Sequence, residues 1–227
     1  MKIAALQMRC IAGDVDANLA KIETAARDAG AQGANLLVAP ELALTGYAID
    51  DLVLSDVVLD ATEAAVESIR EASADLLPVI VVGAPLRKGT RLFNCAVLIH
   101  RGEILGVVPK SALPNYREFY ERRWYAPGDD QRGEHITVAG RTVPFGPDLL
   151  IDVVDVPGLT IHAEICEDLW VPIPPSSEAA LAGATVLLNL SGSPITIGKS
   201  ETRHSITGAQ SARCLAAYAY AERNHHE

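Results

Sequence analysis

The sequence predicts a layered α/β protein with antiparallel elements, and three observations carry that prediction. Apolar, strand-like runs alternate with stretches that repeat apolar residues at helical spacing. A hairpin pattern interrupts the alternation in the middle, so the sheet is mixed and not purely parallel. No apolar run approaches the ~20 residues that a membrane span needs. The chain has 227 residues, 49% of them hydrophobic, which is enough to bury a full core. Residues 1–227 read as one domain without linker, repeat or low-complexity stretch.

Ile3 to Met8 is a first strand; one charge and no small-residue cleavage site argue against a signal peptide. An acidic cap at Asp14 and Asp16 opens a helix with Leu19, Ile22, Ala25, Ala26 and Ala29 on one side, ended by Gly30 and Gly33. Ala34 to Pro40 is a second buried strand. Val57 to Ala74 reads as a helix through Val58, Ala61, Ala65, Ile69 and Ala72, and Pro78 precedes a strand at Val79 to Val82. Phe93 to His100 and Glu103 to Val108 flank Arg101-Gly102, a turn in which glycine supplies the backbone freedom. Two strands at Ile151 to Val156 and Leu159 to Ile165 are divided by Pro157-Gly158. Glu178 to Ala182 is helical, Thr185 to Asn189 is a buried strand, and the alanine-rich Ala209 to Ala221 is predicted as a helix. That helix runs into six polar residues, so no closing strand is expected.

The formal net charge of −10 argues against a nucleic-acid or anionic-membrane partner. Cys10, Cys95, Cys166 and Cys214 are far apart, without metal-ligand spacing, and the six histidines are scattered; no metal site is expected. With no signal peptide, a reducing cytoplasmic setting is expected.

Three strand ends carry chemistry. One apolar run stops at Cys166, one at Pro40 with Glu41 next, and one at Pro109 with Lys110 next. Strand ends and the loops after them are where α/β folds build sites. Taken singly, a glutamate or lysine there is usually a solvated loop charge, and a cysteine is usually a core residue. Together they suit nucleophilic attack on a carbonyl. The ammonium lowers the thiol pKa, the carboxylate accepts the proton and later activates water, and Lys110 with the Glu167 N–H meets the oxyanion.

Pro40-Glu41-Leu42, Pro109-Lys110 and Glu164-Ile165-Cys166-Glu167-Asp168 resemble the three motif blocks of the nitrilase (carbon–nitrogen hydrolase) superfamily, in the right order. The resemblance implies an α-β-β-α sandwich, with Glu41 as general base, Lys110 as electrostatic stabiliser and Cys166 as nucleophile. Lys110 to Glu121, Asn189 to Ile195, Thr45-Gly46-Tyr47 and Asp50-Asp51-Leu52 are similar to the glutaminase domains of glutamine-dependent NAD synthetases. In those, the side-chain amide of glutamine gives ammonia to a synthetase domain through a tunnel. The resemblance then implies that Tyr47, Tyr116 and Glu167 bind substrate and that Ser193 contacts its polar end. It makes Glu118 the second glutamate, positioning the substrate and Lys110. Lys199 stands where relatives place an arginine on the substrate carboxylate; it keeps the charge without the bidentate fork.

No cofactor is implied for the hydrolysis. ATP and Mg belong to a synthetase half that is not seen here, since Leu190-Ser191-Gly192-Ser193-Pro194 is not a phosphate loop. The family pattern continues past the last helix, so the final strands are expected to be missing. A homo-oligomer is expected, and the Arg117, Arg122 and Arg123 cluster is either solvated surface or a subunit contact. Glu164 is either a buried partner or an outer-face charge, Asp168 a cap of the turn after the nucleophile, and Trp170 a wall of the pocket. The alternatives are a stand-alone amidase acting on another small amide, and a truncated, non-catalytic interaction or scaffold domain.

Overall fold

A computed structural model describes residues 1–193 and 196–223. Pro194 and Ile195 of the Asn189 to Ile195 motif and the polar tail 224–227, with His225 and His226, lie outside the described residues. Two sheets stack face to face. The first takes β1 (Ile3–Ala5), β2 (Leu36–Val38), β3 (Val79–Lys88), β4 (Arg91–His100), β5 (Glu103–Pro109), β6 (Glu134–Val138) and β7 (Arg141–Phe145), in the order β1-β2-β3-β4-β5-β7-β6. The second takes β8 (Ile151–Asp152), β9 (Thr160–Ile165), β10 (Val186–Ser191) and β11 (Ala217–Glu222), in the order β11-β10-β9-β8. Both sheets mix parallel and antiparallel pairs.

Alternation along the strands divides the core into layers. Leu36, Val38, Val81, Ala96, Leu98 and Val108 of the first sheet pack against Ile161, Ala163, Ile165, Val186, Leu188 and Leu190 of the second. The opposite face of the first sheet, with Leu37, Ile80, Val82, Cys95 and Val97, takes Ile22 and Ala26 of α1 (Val15–Ala31) and Ala65, Val66 and Ile69 of α2 (Asp56–Ala72). Leu187 of the second sheet turns outward to Ala179 of α3 (Pro175–Leu181), beside α4 (Lys199–Cys214). The result is the α-β-β-α sandwich. Burial on both faces explains why the central strands read as nearly unbroken apolar runs. Among the described residues no helix is long and apolar enough to cross a membrane.

The predicted elements are largely in place. Asp14 caps α1 by accepting the Ala17 N–H at 3.0 Å. Arg101 and Gly102 both take positive φ in the β4–β5 turn. Four features differ. The strand predicted at Ile151 to Val156 stops at Asp152, and turns follow. The strand predicted at Val79 to Val82 runs on to Lys88 and forms a long hairpin with β4. The β6–β7 hairpin, turning at Ala139-Gly140, escapes the sequence reading.

The predicted helix from Ala209 to Ala221 is the largest correction. The helix starts earlier, at Lys199, and ends at Cys214, where Leu215 takes a left-handed φ of 50°. Ala217 to Glu222 is instead a strand parallel to β10. The alanines favour helix by propensity, but Tyr218 and Tyr220 alternate with Ala219 and Ala221 at a period of two. Ala219 and Ala221 pack into the inter-sheet core, while the phenol of Tyr218 donates to buried Glu164. A closing strand is therefore present where none was expected.

Close backbone contact seats the turn after β2 against β3. A Cβ on Gly83 would stand 2.3 Å from Leu42 N and 2.4 Å from Pro40 O. Replacing Gly83 by alanine therefore forces the turn that carries Glu41 off the sheet. We expect Gly83→Ala to cost about 3 kcal/mol or more, as overpacking against rigid backbone does. A thermal melt should read this as a fall in Tm of about 6–12 °C for a chain this long.

Candidate active site

Glu41, Lys110 and Cys166 converge between the two sheets, each just past a strand. Glu41 follows β2, and Leu42 after it takes φ 49°. Lys110 follows β5; its backbone is held by its N–H to Asn94 O at 2.8 Å and by the Gly128 N–H to its carbonyl at 2.9 Å. Gly128 has to be glycine, since a Cβ there would meet the Pro109 ring at 2.6 Å. Cys166 opens a short 3-10 turn after β9 with φ 45°, a conformation that non-glycine residues adopt at a cost.

Buried hydrogen bonds hold the strained turn. Asp168, itself buried, accepts from Ile165 N at 2.9 Å, from Ser111 N at 3.0 Å and from Ala112 N at 2.7 Å. It does more than cap its own turn, because it ties the segment after Lys110 to the segment carrying Cys166. Burial still pushes its carboxyl up to about 7, against those backbone donors. The Asn189 side chain accepts the Cys166 N–H at 3.2 Å. Glu164 is the buried partner of the two roles open to it, accepting from Ser176 N at 2.9 Å and from Tyr218.

The centre of the site is the ammonium of Lys110, 0% exposed, with Glu41 Oε1 at 2.7 Å and Glu121 Oε1 at 2.7 Å. Burial alone pulls the Lys110 pKa down, but the two carboxylates outweigh it and hold the ammonium charged. Glu41 also accepts from Asn94 Nδ2 at 2.8 Å and from the Gly192 N–H at 2.8 Å. Glu121 accepts from the Tyr47 hydroxyl at 2.6 Å, and burial pushes its carboxyl up while Lys110 opposes. Glu121 Oε2 is buried without a protein partner among the described residues.

Two expectations are corrected here. Glu118 does not reach Lys110; it is exposed, and the second carboxylate on the ammonium is Glu121. The thiol is not lowered toward thiolate. Burial and Glu41 push Cys166 up to about 12 despite Lys110 and a hydrogen bond from Ser191 Oγ at 3.5 Å. The resting sulfur is therefore protonated.

Beside Glu167, the residue after Cys166, opens a cavity of about 330 Å³, whose lining includes Tyr116, Arg117, Glu118, Phe119, Glu167, Trp170, Ser193 and Lys199. The volume is within the range of small-molecule sites. Tyr116 donates to Glu167 Oε1 at 2.9 Å. Lys199 donates to Ser193, and its ammonium lies 5.8 Å from the centre of the Trp170 ring and 5.9 Å from that of Phe119. Its partial burial pulls its pKa down. Tyr47 does not line this cavity but a neighbouring one that shares Glu118 and Phe119; it stands beside Gly192, with its ring 5.1 Å from the Arg223 guanidinium. Arg123 of the predicted basic cluster is engaged within the chain by Asp51, at 2.7 Å. The arrangement brings together an acceptor, a fixed cation and a thiol, with a mouth that carries charges of both signs.

Comparison with known proteins agrees with the fold and the motif order. A family model described as carbon-nitrogen hydrolase matches residues 2–226. The chain is 58% identical over 221 residues to the glutamine-dependent NAD(+) synthetase of Mycobacterium tuberculosis (strain H37Rv), covering 97% of this chain and 32% of that protein. To the enzyme of the same name from Thermotoga maritima it is 31% identical over 204 residues, covering 89% and 32%. The chain thus spans about a third of the length of the curated relatives it matches. Among solved structures, a glutamine-dependent NAD(+) synthetase from Cytophaga hutchinsonii superposes with a TM-score of 0.81 at 30% identity, over 98% of this chain and 36% of that one. A nitrilase-superfamily amidase from Nesterenkonia AN1 gives 0.80 at 23% identity, over 98% and 76%, which supports the fold alone.

The protonated thiol gives a direct test. Thiolate absorbance near 240 nm, taken as the difference between wild type and Cys166→Ser, should stay flat between pH 6 and 9 and rise only in alkali. A midpoint below pH 8 would contradict the balance of burial and charge described above.

Proposed function

The chain belongs to the carbon–nitrogen hydrolase family, and from that premise we propose that it is the glutaminase part of a glutamine-dependent NAD(+) synthetase. In this reading residues 1–227 form one hydrolase domain. A synthetase domain or subunit outside this sequence receives the ammonia, and the setting is cytoplasmic. The observation that carries the chemistry is the buried Lys110 ammonium held between Glu41 and Glu121 at 2.7 Å each.

The steps balance without a cofactor. Glu41 takes the Cys166 proton as the sulfur attacks the side-chain carbonyl carbon of glutamine. The resulting oxyanion is met by Lys110 and the Glu167 N–H, donors fixed before the reaction starts. Glu41 returns the proton to the nitrogen, the carbon–nitrogen bond breaks, and ammonia leaves a thioester on Cys166. Water then gives its proton to Glu41 and attacks the thioester; glutamate departs, and the sulfur takes the proton back. The free Oε2 of Glu121 is the acceptor on hand for an N–H of the amide, while Oε1 steadies Lys110.

Substrate choice rests on the mouth. Lys199 with Ser193 suits a carboxylate, and Glu167 with Glu118 suits an ammonium, so the cavity matches an α-amino acid zwitterion. Tyr116 steadies Glu167, and Tyr47 acts through Glu121, to which it donates its hydroxyl hydrogen. A lysine gives up the bidentate grip of an arginine, which predicts a loose hold on the α-carboxylate.

Ammonia release from glutamine, compared with other small amides and nitriles, is the test. Cys166→Ala should abolish release. Lys199→Arg should lower KM for glutamine several-fold with kcat little changed, and Lys199→Ala should raise KM about tenfold, the scale of one charge-assisted contact. A preference for amides that lack the amino-acid end would overturn the glutamine assignment while leaving the hydrolase intact.

A further inference from the structure

We propose that Ser191 is a further catalytic residue, donating its hydroxyl hydrogen to the Cys166 sulfur, and that Tyr220 is the positioning residue that aims it. A hydroxyl has one hydrogen and two acceptor positions. Ser191 is fully buried at the end of β10, and two donors already reach its oxygen: the Tyr220 hydroxyl at 2.7 Å and the Ser193 N–H at 3.4 Å. The backbone N–H can only donate. With its acceptor positions filled, the one hydrogen Ser191 owns is left for Cys166 Sγ, 3.5 Å away. Tyr220 keeps its proton, since burial and the charge of a Cys166 thiolate push its phenol up and outweigh the opposing pull of the Arg203 guanidinium, 6.0 Å from its ring centre.

The bond strengthens when the sulfur becomes negative. Against a neutral thiol or a thioester, Ser191 makes a weak contact. Against the sulfur that Glu41 has just deprotonated, and again when the thioester collapses, it makes a charge-assisted one. An interaction stronger at the transition state than in either ground state lowers the barrier without tightening binding. No proton leaves Ser191; the transferred proton still goes from Cys166 to Glu41. The other groups that act electrostatically on the sulfur are Glu41, Lys110, Glu121, Tyr116 and Lys199, and none of them bonds to the Ser191 hydroxyl.

This rests on Cys166 being the nucleophile, so the test reads the sulfur without turnover. The rate at which methyl methanethiosulfonate modifies Cys166 in the full chain is followed from pH 6 to 10 in wild type, Ser191→Ala, Tyr220→Phe, the double variant and Ser191→Thr. Ser191→Ala should slow modification about tenfold, the scale of a hydrogen bond to a charged group, and move the profile to higher pH. Tyr220→Phe should slow it by a smaller factor, about threefold, the low end for a neutral hydrogen bond. The double variant should match Ser191→Ala, and Ser191→Thr, which keeps the hydroxyl, should restore the rate. A Ser191→Ala profile that superimposes on wild type overturns the proposal, as does a double variant slowed by the product of the two factors. Should Ser191→Ala not fold, a Tyr220→Phe profile identical to wild type overturns it as well. Failure of the nucleophile assignment itself shows separately, as amide hydrolysis surviving in Cys166→Ala.

Discussion

The buried ammonium of Lys110 is the constraint around which the rest of the site is arranged. A charge with no exposed surface is tolerated only when its partners are in place, and here two carboxylates supply the compensation. Those carboxylates are in turn fixed by neutral donors: Asn94 and the Gly192 N–H on Glu41, and the Tyr47 hydroxyl on Glu121. Around the neutral thiol, the charge of the cluster is the sum over Glu41, Lys110 and Glu121. Moving the proton from Cys166 to Glu41 shifts a negative charge from oxygen to sulfur and leaves that sum unchanged. A low-dielectric site therefore tolerates the proposed chemistry, because no charge enters or leaves it when the thiolate forms.

The same balance explains why the sulfur rests as a thiol. The sequence suggested a thiol lowered toward thiolate by the Lys110 ammonium, with Glu41 accepting its proton. Burial and the neighbouring carboxylate outweigh that single cation. In the proposed reaction, activation then depends on Glu41 acting while a substrate carbonyl is in place, which keeps an idle thiol from reacting with whatever enters.

The residues visible in the sequence were those set by local pattern. Glu41, Lys110 and Cys166 each end a buried strand, and a strand end is legible from hydrophobicity and proline placement. Glu121 was hidden because it sits in Tyr120-Glu121-Arg122-Arg123, a run that reads as surface, and it is buried only by the fold-back of the segment after Lys110, where its N–H meets Pro114 O at 3.2 Å. The one available signal was Lys110 itself, since a fully buried lysine asks for more than one acceptor. Ser191 and Tyr220 were hidden for a different reason. Reading Ala217 to Glu222 as helix placed Tyr220 on the wrong element, and helical propensity outweighed a two-residue alternation that tertiary pairing with β10 makes decisive. Asp168 was read as a local cap because two of its three donors come from residues more than fifty positions away.

Glu41 and Lys110 stand on the first sheet and Cys166 on the second, so the gap the proposed reaction has to bridge is set by the side chains packed between the sheets. Leu98, Val108, Ile165 and Leu188 act as spacers of fixed thickness. A methylene added or removed there changes the reach between base and sulfur without touching either. In this architecture the interior works as a calliper, and residues with no polar atom to offer hold an indirect vote on the rate.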